Sequence, residues 1–253
     1  VIPNRGSWLD FEFDAKDILY VRIDRRRKLP ATVLLRALGY DEEELLDYFY
    51  DHEQVIVGEE LTKAFQPELH QGTRTTLDII DPTNDKMIVK ADKKLGRGHI
   101  RRMKKAGVGQ LPLKEEDVIG MVVAHDVVDM NTGEILAECN EEITEETLQV
   151  IRDRGIDEIT TLFIDRVNVG SFLRDTLLID KVDNSEDSII EIYRRLRPGD
   201  PPTYETALAF FENLFFNSER YDLSKVGRLK MNHKLQLEVP LEQTTLTRED
   251  IMR

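Results

Sequence analysis

The sequence predicts an α+β fold: a mixed helical and strand-bearing domain interrupted by an inserted α+β module containing two related strand–helix–strand units. Three observations point there. Apolar and polar residues alternate with period two near the N-terminus. Later segments place apolar residues at helical spacing behind capping residues. One stretch repeats at a constant offset of 48 residues. On this reading residues 1–50 and 170–253 form the discontinuous domain, and 51–169 form the module.

In "GSWLDFEFDAKDILYVRID" the large apolar residues Trp8, Phe11 and Phe13, then Leu19, Val21 and Ile23, alternate with polar ones. This is the pattern of two short strands joined around "DAKD". "KLPATVLLRALGY" reads as a helix, with Pro30 suited to its first turn and Gly39 to its end. Asp41–Tyr50 reads as a second helix, opened by carboxylates that favour a positive helix N-terminus. Residues 51–85 read as loop-rich with short strands.

The repeat follows. "LGRGHIRRMKKAGVGQLPL" (Leu95–Leu113) and "ITEETLQVIRDRGIDEITTL" (Ile143–Leu162) match in their apolar positions and in Gly107 and Gly155. Each unit reads as strand, helix, glycine turn, strand, with the glycine where a helix end wants positive φ. The expectation is that the copies pack against each other to bury what neither buries alone. Arg97, Arg101, Arg102, Lys104 and Lys105 crowd the first helix, which reads either as a solvated basic face or as a second contact surface.

From Gly170 the sequence turns helical again. "SEDSIIEIYRRLRPGDPPT" predicts an N-cap at Ser185 and a stop at the prolines of "RPGDPP". Thr203–Phe216 reads as an amphipathic helix, followed by a polar turn and a short basic stretch. The tail carries no terminating signal, so a piece excised from a longer chain is expected.

Composition narrows the function. The 253 residues are 40% hydrophobic and 33% charged, and mean hydropathy is −0.41: a soluble globular composition. No apolar run approaches the roughly 18–20 residues of a membrane span, and "VIPNRGSWLDF" lacks the sections of a signal peptide. With Cys139 alone, an internal disulfide is impossible and a cytoplasmic location is expected. Cys139 itself reads as a buried small thiol. His52, His70, His99, His125 and His233 are scattered, so no metal site is expected, and His99 and His125 read as surface residues. A phosphate loop, a nucleophile elbow and zinc-protease motifs are all missing from the sequence. On its own residues the chain does not look like an enzyme.

Binding remains. The formal net charge of −14 argues against coating DNA broadly. It does not exclude a local site, because charges beyond about 8 Å are screened at physiological salt. Arg22, Arg25, Arg26, Arg27 and Lys28 cluster around Asp24. Arg194, Arg195, Arg197, Arg220, Arg228 and Lys230 form looser groups. The cluster reads either as structural ion pairs or as a phosphate site. Trp8, the only tryptophan, reads either as a core anchor or as a stacking platform for an unpaired base.

"RGSWLDFEFDAKDILYVRIDRRRKLPATVLLRALGY" and "IYRRLRPGDPPTYETALAFFENLFFNSERYDLSKVGRLKMN" closely resemble the β subunit of bacterial RNA polymerase, in its lobe or β2 domain. The middle module resembles the lineage-specific insertion of proteobacterial β subunits. The resemblance implies part of a nucleotidyltransferase, a DNA-directed RNA polymerase, without catalytic residues in this segment. It implies no cofactor here, the magnesium of the intact enzyme being held by another subunit. The implied role is a wall of the DNA channel, meeting non-template single strand and downstream DNA. Trp8 is implied in base stacking, with Asp24 and Arg197 around the neighbouring pocket and Arg25, Arg26 and Arg27 near the DNA. Implied partners are DNA, the β′, α and ω subunits and a sigma factor, in a cytoplasmic, nucleoid-associated enzyme, with the segment alone a monomer. The main alternative is a protein-interaction module that docks transcription factors. An independent small-molecule enzyme is the weakest reading.

Overall fold

The computed structural model describes residues 1–253. Its fold is α+β, in two compact units: Val1–Leu45 with Phe172–Arg253, and Leu46–Ser171.

The chain enters the first unit through β1 (Leu9–Phe13), β2 (Leu19–Ile23) and β3 (Leu29–Pro30), an antiparallel sheet in that order. Asp14 shapes the first turn, its Oδ1 accepting from Lys16 N and Ile18 N. Val21 and Ile23 are buried as the alternation predicts. On β1 only Leu9 is buried, while Phe11 and Phe13 stay exposed, Phe13 meeting Phe172 edge-on. Helix α1 (Ala31–Ala37) starts directly after Pro30 and is buried at every residue, so it forms the centre of this unit. Each such Leu or Val contributes about 1.5–3 kcal/mol. Helix α2 (Glu42–Phe49) follows, with Glu42, Glu43 and Glu44 in its first turn.

The second unit is built on β4 (His52–Val57) and β5 (Leu61–Ala64). It continues through α3 (Pro67–His70), β6 (Ile79–Ile80), β7 (Met87–Val89), α4 (Arg97–Ala106) and β8 (Gln110–Pro112). The same series returns as α5 (Glu115–Val118), β9 (Val127–Val128), β10 (Ile135–Ala137), α6 (Glu145–Asp153) and β11 (Glu158–Leu162). The repeat therefore reaches well upstream of Leu95 and Ile143, to Ile79 and Val127. Asp78 and Asp126 each accept a backbone N–H, from Ala91 and Cys139, at 2.7 Å. Asp92 and Asn140 share a left-handed conformation (φ 62° and 70°), as do Gly107 and Gly155 (72° and 67°).

The copies do not bury against each other as expected. Ile79, Val89, Leu95, Ile100, Met103 and Leu111 make one core. Val118, Val123, Val127, Ile143, Leu148, Ile151 and Ile159 make another with Val55, Val57 and Leu61. What joins the copies is a four-stranded antiparallel sheet, β11-β4-β5-β8, with one copy's last strand at each edge. A hairpin already present between the copies completes each of them, so neither needs the other's apolar face. The basic residues of α4 are exposed. Cys139 is half-buried, not buried, with its Sγ 3.1 Å from the Ala124 carbonyl.

The first unit resumes with α7 (Phe172–Ile179), α8 (Ser185–Leu196) and α9 (Tyr204–Phe215). Asn184, not Ser185, caps α8, accepting from Asp187 N at 2.9 Å. Thr203 caps α9. The basic stretch beyond is itself a helix, α10 (Ser224–Leu235), and α11 (Arg248–Met252) lies close to the C-terminus with a capping box between Thr247 and Asp250. Arg228, read as part of a loose basic group, is fully buried. It forks onto Asp250 at 2.6 and 2.9 Å and donates to the Gln243 and Thr245 carbonyls. No helix is long and apolar enough to cross a membrane.

Candidate nucleic-acid interface

The site grows from the end of the β1–β2 ladder. Leu9 pairs with Ile23, so Trp8 and Asp24 face each other one step further on. Asp24 N donates to the Trp8 carbonyl at 3.0 Å, and Trp8 N donates back to Asp24 Oδ1 at 2.8 Å. The carboxylate thus spends one oxygen on positioning the tryptophan backbone.

The chain then reverses between Ile23 and Arg26, whose N–H closes the turn on the Ile23 carbonyl at 3.0 Å. Both central residues are left-handed, Asp24 at φ 52° and Arg25 at φ 56°. This is a turn that glycine, asparagine or aspartate accepts easily and arginine does not. The turn places the Arg25 guanidinium 4.3 Å from the centroid of the Trp8 ring. Trp8 is accordingly half-buried: neither a core anchor nor a bare platform.

The segment that carries Trp8 is held from behind. Asn4 and Arg5 donate backbone N–H groups to the Asp222 carbonyl, and Asp222 N donates to Arg5 O at 2.7 Å. Gly6, at φ 125°, lies against Tyr221, where a Cβ would come 2.5 Å from Cδ2. The glycine of "GSW" is therefore a close-approach position.

The remaining cations separate by role. Arg22 pairs with Glu12 at 3.0 Å, and Lys28 sits 3.8 Å over the Tyr20 ring, so both are structural. Arg26 and Arg27 are exposed and line a cavity of about 480 Å³ with Glu191, Arg194, Arg195 and Pro198. Arg194 and Arg195 stand in the last turn of α8, where cations complement the helix's negative end. Arg195 also pairs with Glu191 at 2.7 Å. Arg197 caps α8 and packs its guanidinium 5.1 Å from the Phe210 ring, while Tyr193 next to it donates to Asp200 at 2.6 Å. The structure thus brings Trp8, Asp24 and Arg25 into one group, and Arg26 and Arg27 to the end of α8. It holds Arg197 on Phe210. Sequence reasoning names Arg194 and Arg195 only as a loose group, because nothing local says that α8 ends beside the β2–β3 turn.

The family model of RNA polymerase Rpb2, domain 2, matches residues 1–121 and 148–253, which includes every residue of this group. The chain belongs to that family. Across its whole length this Rpb2 domain 2 chain is 55% identical to the DNA-directed RNA polymerase subunit beta of Syntrophotalea carbinolica. It is 57% identical to that of Sorangium cellulosum and 56% to that of Geotalea daltonii. It spans 18 to 19% of the length of these relatives. The stretch outside the family match, 122–147, falls in the second repeat copy.

Proposed function

We propose that the chain is the lobe of a bacterial RNA polymerase β subunit and forms part of the wall of its DNA channel. It would meet the non-template strand and downstream DNA during transcription. The observation that carries this is the Trp8–Asp24–Arg25 group: an indole, a guanidinium stacked on it and a carboxylate holding the tryptophan backbone, at a strained turn bordered by exposed arginines. Strain kept at a surface turn is a mark of a functional site. An unpaired base would extend or replace the Arg25 layer on Trp8, and Arg26, Arg27 and Arg194 would meet backbone phosphate. Nucleotidyl transfer and its magnesium would belong to another subunit, and β′, α, ω and sigma would be the partners of the assembled cytoplasmic enzyme.

The test is binding of single-stranded DNA, by the chain and by polymerase reconstituted with it, across a salt series. Trp8→Ala should weaken binding by the worth of one stacked base, about 1–3 kcal/mol. Arg26→Ala and Arg27→Ala should each flatten the salt dependence by about one phosphate contact. Equal binding by wild type and all three variants in both settings overturns the proposal.

A second reading rests on the compactness of Leu46–Ser171 and the exposed cations of α4. That unit would be a lineage-specific insertion that docks a regulatory protein. Deleting about residues 51–169 separates the readings. Loss of a factor's effect with basal transcription intact supports docking, and loss of basal transcription counts against it.

A further inference from the structure

We infer that Asp47, His52 and His125 bind one divalent transition-metal ion of the zinc class. Asp47 stands near the end of α2, His52 opens β4, and His125 lies just before β9. They are far apart in sequence, but one donor atom from each lies within 4.8 Å of the other two. Asp47 Oδ1 is 3.1 Å from His52 Nε2 and 3.9 Å from His125 Nε2. The two imidazoles meet edge to face, with centroids 5.1 Å apart at 90°.

These separations suit one small ion. Zinc bonds of about 2.0–2.2 Å to nitrogen and oxygen place tetrahedral donors about 3.4 Å apart. Side-chain movements of about an ångström at Asp47 and His125, which are 44% and 37% exposed, bring donors that now lie within 4.8 Å of one another to that spacing. His52 gives a second, independent sign. Its Nε2 is buried and makes no hydrogen bond, its charged neighbour being Asp47 Oδ1 at 3.1 Å. A buried polar atom in that state is costly unless something else engages it. Two imidazoles and one carboxylate suit Zn²⁺, Co²⁺, Ni²⁺ or Cu²⁺ rather than Mg²⁺ or Ca²⁺, which prefer all-oxygen sites. Three protein donors leave at least one position for water. The ion ties the α2–β4 junction to the approach of β9 in the second repeat copy. Because it binds only the assembled arrangement, it makes the stability of this unit metal-dependent.

The experiment uses the untagged 253-residue chain, freed of metal by a chelator and titrated with Zn²⁺ and, separately, with Co²⁺. One ion per chain, visible cobalt bands of low coordination number and zinc-induced shifts of the His52 and His125 ring signals, with His99 and His233 unmoved, are expected. Zinc should also raise the melting temperature. His52→Gln, His125→Gln and Asp47→Asn should each weaken zinc binding at least tenfold and abolish that rise. The ring shifts are read on the unaltered chain, so the test does not depend on any variant folding. Absence of saturable one-to-one binding, shifts at other histidines, or variants that bind zinc within twofold of wild type overturn the inference and leave a plain Asp–His ion pair.

Discussion

Arg25 holds its guanidinium 4.3 Å from the centre of the Trp8 ring, and does so from a left-handed backbone position at φ 56°. Such a position costs a non-glycine residue about 1–2 kcal/mol. An exposed cation–π contact returns about 0.5–1 kcal/mol. The balance is close to zero or slightly unfavourable, so folding stability does not explain an arginine here.

Arg25→Gly should therefore leave stability unchanged or raise it by up to about 1 kcal/mol, because glycine adopts the turn freely. Single-stranded DNA binding should fall in the same variant. Thermal melting and a binding titration on one preparation check both halves. A clear loss of stability would show that the stack is structural.

Gly6→Ala acts on the same group from the other side. The added methyl would meet Tyr221 Cδ2 at 2.5 Å, and φ 125° is itself unfavourable for alanine. A cost of at least about 1–3 kcal/mol is expected. Since Trp8 is the only tryptophan, its fluorescence should shift as the Arg5–Asp222 bridge is forced apart.

The buried pair Arg228–Asp250 gives the largest single effect. Asp250→Ala strands a fully buried guanidinium and removes a cap of α11, for an expected loss of about 3–5 kcal/mol. The double change Arg228→Met with Asp250→Leu should cost much less than Asp250→Ala alone, because no charge is left buried. Denaturant unfolding of the two variants side by side decides it.

The pair also marks where sequence reading stops. Period-two alternation locates β1 and β2, and Pro30, Thr203 and Gly155 punctuate helices where they should, since these signals are local. Arg228 carries no local sign of burial: its partner is 22 residues away, and basic residues are ordinarily exposed. The upstream half of the repeat keeps the same offset, Ile79, Met87, Ile88 and Val89 matching Val127, Ile135, Leu136 and Ala137, but its strands are only two or three residues long, too short to show a period of their own. In the candidate site the same division holds. "GSW" and "RIDRRR" are visible as motifs, but the Trp8–Asp24 pairing needs the strand register. The approach of Arg194 and Arg195 to Arg26 and Arg27 needs tertiary packing.

Acid should weaken the second unit through Glu53. Burial pushes the Glu53 carboxyl up, but it accepts from His70 at 2.7 Å and from Lys63 at 2.6 Å, and these contacts together hold it below its ordinary 4.5. His70 Nδ1 takes the Gln66 N–H, so the ring proton sits on Nε2 and points at Glu53. Asp165 behaves alike: burial raises it, yet the N–H groups of Val169, Val167 and Asn168 bring it down to about 2. A carboxyl whose pKa is lower folded than unfolded stabilises fully above its unfolded value and loses that contribution as pH falls through the folded one. The loss should therefore begin near pH 4.5 and continue towards pH 2. Glu53→Gln keeps an acceptor for His70 and removes the titration. It should be less stable than wild type at pH 7 and lose less on going from pH 5 to pH 3. Melting temperatures at pH 7, 5, 4 and 3 for both proteins measure this, and parallel curves would mean that Glu53 does not govern the acid response.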